Sequence, residues 1–177
     1  MTWVAKTPPF VKYTDFVGEI LVPNLVPDTT VGDANIEELE RTITKYEKML
    51  LVNILSEDGY TTFLAQVGSS SCTTLYQELY NMLFVNNKVV ASYIYYYHVR
   101  NSATMTGGVG EVLPSVENGM RAVASQKMVR AYNEFSHWIY DVIDYIMENE
   151  ATFGAISNSV NFGLLKAEYG TINVYGI

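Results

Sequence analysis

Cysteine, histidine and charge are all scarce in this chain of 177 residues. The one cysteine, Cys72, cannot close an intrachain disulfide, so the fold must stand on packing. It also excludes any metal cluster built on cysteine. Only 17% of residues are charged, and 19 Asp and Glu outnumber 11 Lys and Arg to give a net charge of -8. Proteins that grip duplex phosphates without regard to sequence carry a basic face, and that class is excluded here. The longest apolar run, Val89 to Tyr97, is far shorter than the roughly 20 residues a membrane span requires. The first ten residues, with Pro8 and Pro9 among them, have no apolar core of a signal peptide. The expectation is a soluble protein made in a reducing cytoplasm.

What is present in quantity is apolar and aromatic. Hydrophobic residues make up 49% of the chain, with 14 Tyr, 7 Phe and 2 Trp. This excludes disorder, and a single domain of this length buries roughly 70% of its unfolded surface. Tyrosine pads cores, and it also serves surfaces that are buried on binding while the hydroxyl stays satisfied. Composition alone does not divide the two uses.

Residues 1–34 read as an extended arm, because Pro8, Pro9, Pro23 and Pro27 each remove a backbone donor and discourage helix. Asn35 and Glu38 have capping-box spacing, and Ile36, Leu39, Ile43, Tyr46, Leu50 and Ile54 follow at helical spacing. This predicts an amphipathic helix of about five turns, a turn at 56–59 and a short second helix over 60–66. Thr74 and Gln77 mark the next helix start, with Leu75, Leu79, Met82 and Leu83 on one face and Asn86-Asn87 as its end. Residues 89–100 favour strand on propensity, yet Val90, Tyr93, Ile94 and Tyr97 fit a helical stripe. The reading taken is a central helix, apolar on most sides.

Residues 102–124 read as a protruding hairpin or loop, with β-like runs at 109–113 and 120–123 around Pro114 and Asn118-Gly119. Ser125 caps the last helix, whose seam is Met128, Tyr132, Phe135, Ile139, Val142 and Ile146. Its opposite stripe, Arg130, Glu134, His137, Asp141, Asp144 and Glu148, runs basic to acidic, against the helix dipole. Either a partner surface or tertiary contacts would account for that order. Residues 151–177, glycine-spaced, aromatic and nearly uncharged, read as an extended tail that binds something. Fully extended, it would reach roughly 90 Å.

No catalytic, cofactor or metal site follows from the motifs. The glycines of 106–110 lack the Lys-Ser/Thr of a phosphate loop. His137 and Asp141 lie one helical turn apart, but two residues do not make a metal site. Cys72 precedes a helix start, where a dipole lowers a thiol pKa, without a basic neighbour to support a nucleophile. The carboxylates Asp141, Asp144, Glu148 and Glu150 read as an exposed acidic stripe. An enzyme is therefore not expected.

Several stretches carry a resemblance. Residues 13–23 (YTDFVGEILVP) precede a helix containing ITKYEKML at 43–50, followed by LYQELY at 75–80 and SYIYYYHVR at 92–100. The loop TMTGGVG at 104–110 then leads to SQKMVRAYN at 125–133. Together they resemble head–tail connector (head completion, adaptor) proteins of tailed bacteriophages, especially those of crAss-like phages of Bacteroidetes. The resemblance covers most of the chain and carries no chemistry.

It implies a helical protomer in a homo-oligomeric ring, commonly of twelve, that binds the portal protein and meets tail or further connector proteins. DNA would pass through the channel without sequence-specific binding, past a wall whose negative charge does not grip it. No membrane is involved, and the place is the virion. The expected fold is mainly α: a small helical bundle over 35–150 with an inserted hairpin or loop at 102–124, and extended arms at 1–34 and 151–177. Trp3, Phe10, Phe16, Phe153, Phe162, Tyr169 and Tyr175 are the expected interface residues, anchoring the arms on the portal or a neighbouring subunit. The alternatives are a monomeric helical protein-binding (regulatory) module, and a small enzyme whose site no motif reveals.

Overall fold

A computed structural model describes residues 3–102, 105–107, 110–112, 122–157 and 159–173. The protein is a small, mainly α bundle. Helix α1 runs Thr30–Val67, α2 Thr74–Tyr80, α3 Val89–Ser102, α4 Ala122–Glu148, α5 Glu150–Ser157 and α6 Phe162–Glu168. A π-helical turn, Asn81–Asn86, prolongs α2, and two 3-10 turns, Tyr13–Asp15 and Gly18–Ile20, punctuate the N-terminal segment. Strands β1 (Met105–Gly107) and β2 (Gly110–Val112) pair antiparallel as a hairpin between α3 and α4.

Helix α1 starts earlier and runs further than its periodicity suggests. Thr29 is the cap, its Oγ1 accepting from Gly32 N at 3.0 Å. Asn35 lies inside the helix, where its amide donates to Asn24 O. Only residues 1–29 therefore precede the first helix, five fewer than the arm read from the prolines. The expected turn at 56–59 is a break at Ser56 (φ 63, ψ 170), after which Ser56 Oγ accepts from Gly59 N at 3.2 Å and restarts the helix. Similarly, Thr74 is the first residue of α2 rather than its cap; Gln77 instead donates to Cys72 O at 2.7 Å.

The central helix over 89–100 is α3. Every residue from Val89 to Tyr96 is buried, which explains why it shows strand-like composition: a helix enclosed on all sides has no polar face. It packs chiefly on α4, whose seam residues Tyr132, Phe135, Ile139, Val142 and Ile146 are all buried. Leu39, Ile43, Leu50 and Ile54 close the core from α1.

Two expectations need correction. The hairpin lies earlier than the β-like runs, since 105–107 pairs with 110–112 while Ala122 and Val123 already belong to α4. Ser125 is thus inside that helix. Pro114 and the Asn118-Gly119 turn lie outside the described residues. The extended tail at 151–177 is the larger miss, because α5 and α6 occupy much of it. Asn161 caps α6 by accepting from Leu164 N at 3.1 Å, and Phe162, Leu165 and Tyr169 are buried at helical spacing. Helices this short take their stability from packing rather than propensity, so glycine-rich composition conceals them.

Candidate functional site

The residues that first suggest chemistry do not converge. His98 on α3 is half-buried, and burial holds its imidazole below the ordinary value despite the pull of Glu38. His137 is exposed on α4, with its ring edge-on to Trp138 at 4.7 Å. Cys72 is buried, and that burial pushes its thiol up, opposite to the lowering a helix start would produce. Among the described residues no group of three or more His, Cys, Asp or Glu is placed to hold a metal. No described helix is long and apolar enough to cross a membrane.

What the structure assembles instead is a pair of clamps that hold the terminal segments on the bundle. The first is Glu47, which stands on the buried face of α1 and is 3% exposed. Phe10 N donates to both of its oxygens, at 3.0 and 2.9 Å, and Val11 N donates to Oε2 at 2.8 Å. Burial raises the carboxyl above its ordinary value, while the Val11 and Phe10 amides and then Lys12 draw it part of the way back. Nearby, Trp3 Nε1 and Lys6 N both donate to Val67 O, at 3.2 and 2.8 Å. Lys88 Nζ donates to Asp15 O at 2.9 Å from the start of α3.

The Phe10 ring then fills an aromatic cleft, with centroids 6.0 Å from Phe63, 5.5 Å from Tyr80 and 5.0 Å from Phe84. Trp3 adds an edge contact to Tyr80 at 5.4 Å. Phe16 and Ile20 complete the anchoring further along.

The second clamp is a row of side chains on α4. Asn133 makes a two-way contact with one residue of the tail: its Nδ2 donates to Ile172 O at 3.0 Å and its Oδ1 accepts from Ile172 N at 2.8 Å. One turn on, Ser136 Oγ donates to Tyr169 O, and Tyr140 hydroxyl donates to Lys166 O at 2.6 Å. Lys166 Nζ reaches Asp144. The tail thus runs antiparallel to α4, and the unusual charge order of the polar stripe has a local use. Asp144 meets Lys166, and Arg130 meets Glu19 of the N-terminal segment at 3.1 Å. Both are tertiary contacts, and the second, exposed on both sides, is worth little by itself.

Beneath the tail lies a tyrosine cluster. Tyr93 sits between Phe135 (4.9 Å) and Tyr169 (6.2 Å), and Tyr97 stacks on Tyr46 at 4.4 Å. Asn53 Nδ2 donates to the Tyr169 hydroxyl at 3.2 Å. Burial lifts Tyr93 and Tyr132 well above the ordinary phenol, and Tyr169 is pushed up to about 12. These hydroxyls stay protonated, so they act as hydrogen-bonding core groups.

Of the seven expected interface residues, Phe10, Phe16, Phe153, Phe162 and Tyr169 are buried in the core of their own chain. Trp3 is packed against that core, and Tyr175 lies outside the described residues. The six described residues pack within their own chain. Sequence reasoning missed Glu47, Asn133, Ser136 and Tyr140, which do the holding. Glu47 carried a signal, since it is the one carboxylate between Tyr46 and Leu50 on the apolar stripe; the α4 residues carried none.

The chain matches no protein-family model, no curated protein and no solved structure.

Proposed function

We propose that the protein is a structural assembly protein of a virion, a ring-forming head–tail connector or adaptor that binds the portal and extends the DNA channel towards the tail. The observation that supports this best is the way the two terminal segments are laid over a bundle and held by their backbones. The N-terminal segment, joined to the bundle only through residues 23–28, is the one that can be re-seated on a neighbour. A hairpin carried between the closely packed pair α3 and α4 gives the protomer a further element to offer to an assembly. The net charge of -8 suits a surface that DNA passes without adhering.

A second reading draws on a different observation. Five of the seven aromatic anchors are spent within the chain, which gives a lone protomer a complete core. A monomeric helical module that binds another protein would look the same. Light scattering of the chain alone, and mixed with the portal protein of the same genome, separates the two. A stoichiometric ring on the portal supports the connector. A monomer that leaves the portal mass unchanged refutes it and favours the module.

A further inference from the structure

We propose that residues 3–22 form a releasable strap, and that the cleft beneath it is a binding site for the same strap of a second copy of this chain. The ligand chemistry is defined by what sits there now: a backbone bent at Val11 that presents two successive N–H groups to one carboxylate, with an aromatic ring at the first. Glu47 takes the N–H groups of Phe10 and Val11, and Phe63, Tyr80 and Phe84 take the ring. A second copy carries the identical segment, so the fit is assured in either arrangement.

Three features make release practicable. The first is the grip itself: four donors of the strap converge on two acceptors, Val67 O for Trp3 and Lys6 and the Glu47 carboxylate for Phe10 and Val11. Lys88 on Asp15 O, Arg130 on Glu19 and the buried Phe16 and Ile20 hold its second half. The second is the connection to α1. Pro23 and Pro27 interrupt it, and Asn24 (φ 60) and Asp28 (φ 63) both hold the left-handed conformation that non-glycine residues rarely adopt. Six residues, 23–28, give a reach of about 20 Å when extended, so the strap can leave while α1 stays folded. The third is Glu47. A buried carboxylate is costly unless its hydrogen bonds are filled, and backbone amides of the strap fill them. An empty cleft therefore presents an acceptor and an apolar slot together, and only a segment that meets both closes it.

The inference rests on the assembly reading for the claim that copies meet, and it names the partner of the N-terminal segment.

Complementation between two full-length variants tests it. Glu47→Ala keeps a sound strap and spoils the cleft; Phe10→Ala keeps the cleft and spoils the strap. Each alone should stay folded by circular dichroism and lose strap protection. Trypsin cleavage after Lys6 and Lys12 should then run about tenfold faster or more than in the unaltered chain, because cleavage tracks the open population. Mixed, the two should form a one-to-one complex of doubled mass in which the strap of the Glu47→Ala chain regains its protection. If either substitution unfolds the chain, Glu47→Gln with Phe10→Leu serves as the milder pair. Two results overturn the proposal: cleavage unchanged in the single variants, or a mixture that stays at monomer mass with both straps cut. Failure here with portal binding intact removes only strap exchange. Success here without portal binding removes the connector.

Discussion

Gly59 offers the sharpest check on the packing of α1 against α5. An alanine in a helix interior ordinarily gains about 1 kcal/mol over glycine. Gly59 is helical and buried in the first turn after the Ser56 break, so that gain is its upper bound. A Cβ placed there, however, would lie 2.5 Å from Ile156 Cγ1, 3.3 Å from its Cδ1 and 3.4 Å from Leu55 Cβ. The nearest atom belongs to a β-branched side chain that is 1% exposed, so it cannot swing away. Relief requires α5 to move, and overpacking of this kind costs about 1–3 kcal/mol. The clash therefore outweighs the propensity gain, and Gly59→Ala should lower stability by about 1 kcal/mol net.

Ile156→Ala alone should cost about 2–5 kcal/mol as a cavity. In that background the clash is gone, so Gly59→Ala should turn stabilising by up to about 1 kcal/mol, a reversal of sign that only direct contact produces. Urea denaturation of the four chains, with the slope held constant, reads the cycle. An equal rise of the midpoint on Gly59→Ala in both backgrounds would refute the placement of α5 on α1.

Other substitutions and titrations bear on separate parts of the fold. Ser56 holds a backbone region nearly reserved for glycine, which costs about 1–3 kcal/mol, whereas replacing a cap by glycine costs a few tenths. Ser56→Gly should thus raise the urea midpoint and Ser56→Ala should lower it; a fall with both would show that Ser56 is unstrained. Thr29→Ala removes the acceptor of Gly32 N and should cost about 1 kcal/mol in the same assay. His98 has a folded value below 6.5, so its contribution is complete above that pH and is lost as pH falls through 6.5 towards the folded value. Melting temperatures between pH 7.5 and 5.5 should accordingly fall more steeply in the unaltered chain than in His98→Gln, and parallel curves would exclude the effect. Tyr169, raised to about 12, contributes stability that is present below pH 10 and drains away above it. Tyrosine absorbance in alkali should therefore show a late phase coincident with unfolding, which Tyr169→Phe shortens.

Where the chain is regular, its physics is visible in the residues. The seam of α4 and the stripe of α1 recur at helical spacing over several turns, and all their members but the half-buried Ile36 and Met128 are buried. The polar face of α4 was also visible, but its use was not, because the partners Glu19 and Lys166 lie 111 and 22 residues away. Ser56 shows a different limit. The turn residues at 56–59 do mark a break, yet the helix resumes at once because Ser56 Oγ caps it, and the result is one interrupted helix rather than two. Composition misled most at α5 and α6, where seven or eight residues give periodicity too little length to stand out.

The terminal segments expose the deepest of these limits, and it concerns what holds them. Glu47 grips amides, Asn133 grips the amide and carbonyl of Ile172, and Ser136 and Tyr140 grip carbonyls. Every one of those groups belongs to the backbone, which any residue other than proline would supply at those positions. Apart from a few side chains such as Glu19 and Lys166, whose partners lie far along the chain, the arms therefore bear little polar signature of their docking, and mainly their apolar anchors can be read. An aromatic arm with few charges looks the same whether its place is on its own bundle or on another. What decides between the two is the reach of the connection and the quality of the cleft. Both are compatible with either arrangement for the N-terminal strap, whereas the tail follows α4 through α5 after a break at one residue, Asn149. Exchange, if copies of this chain meet, is accordingly a property of the N-terminal end, and the C-terminal end keeps each bundle closed.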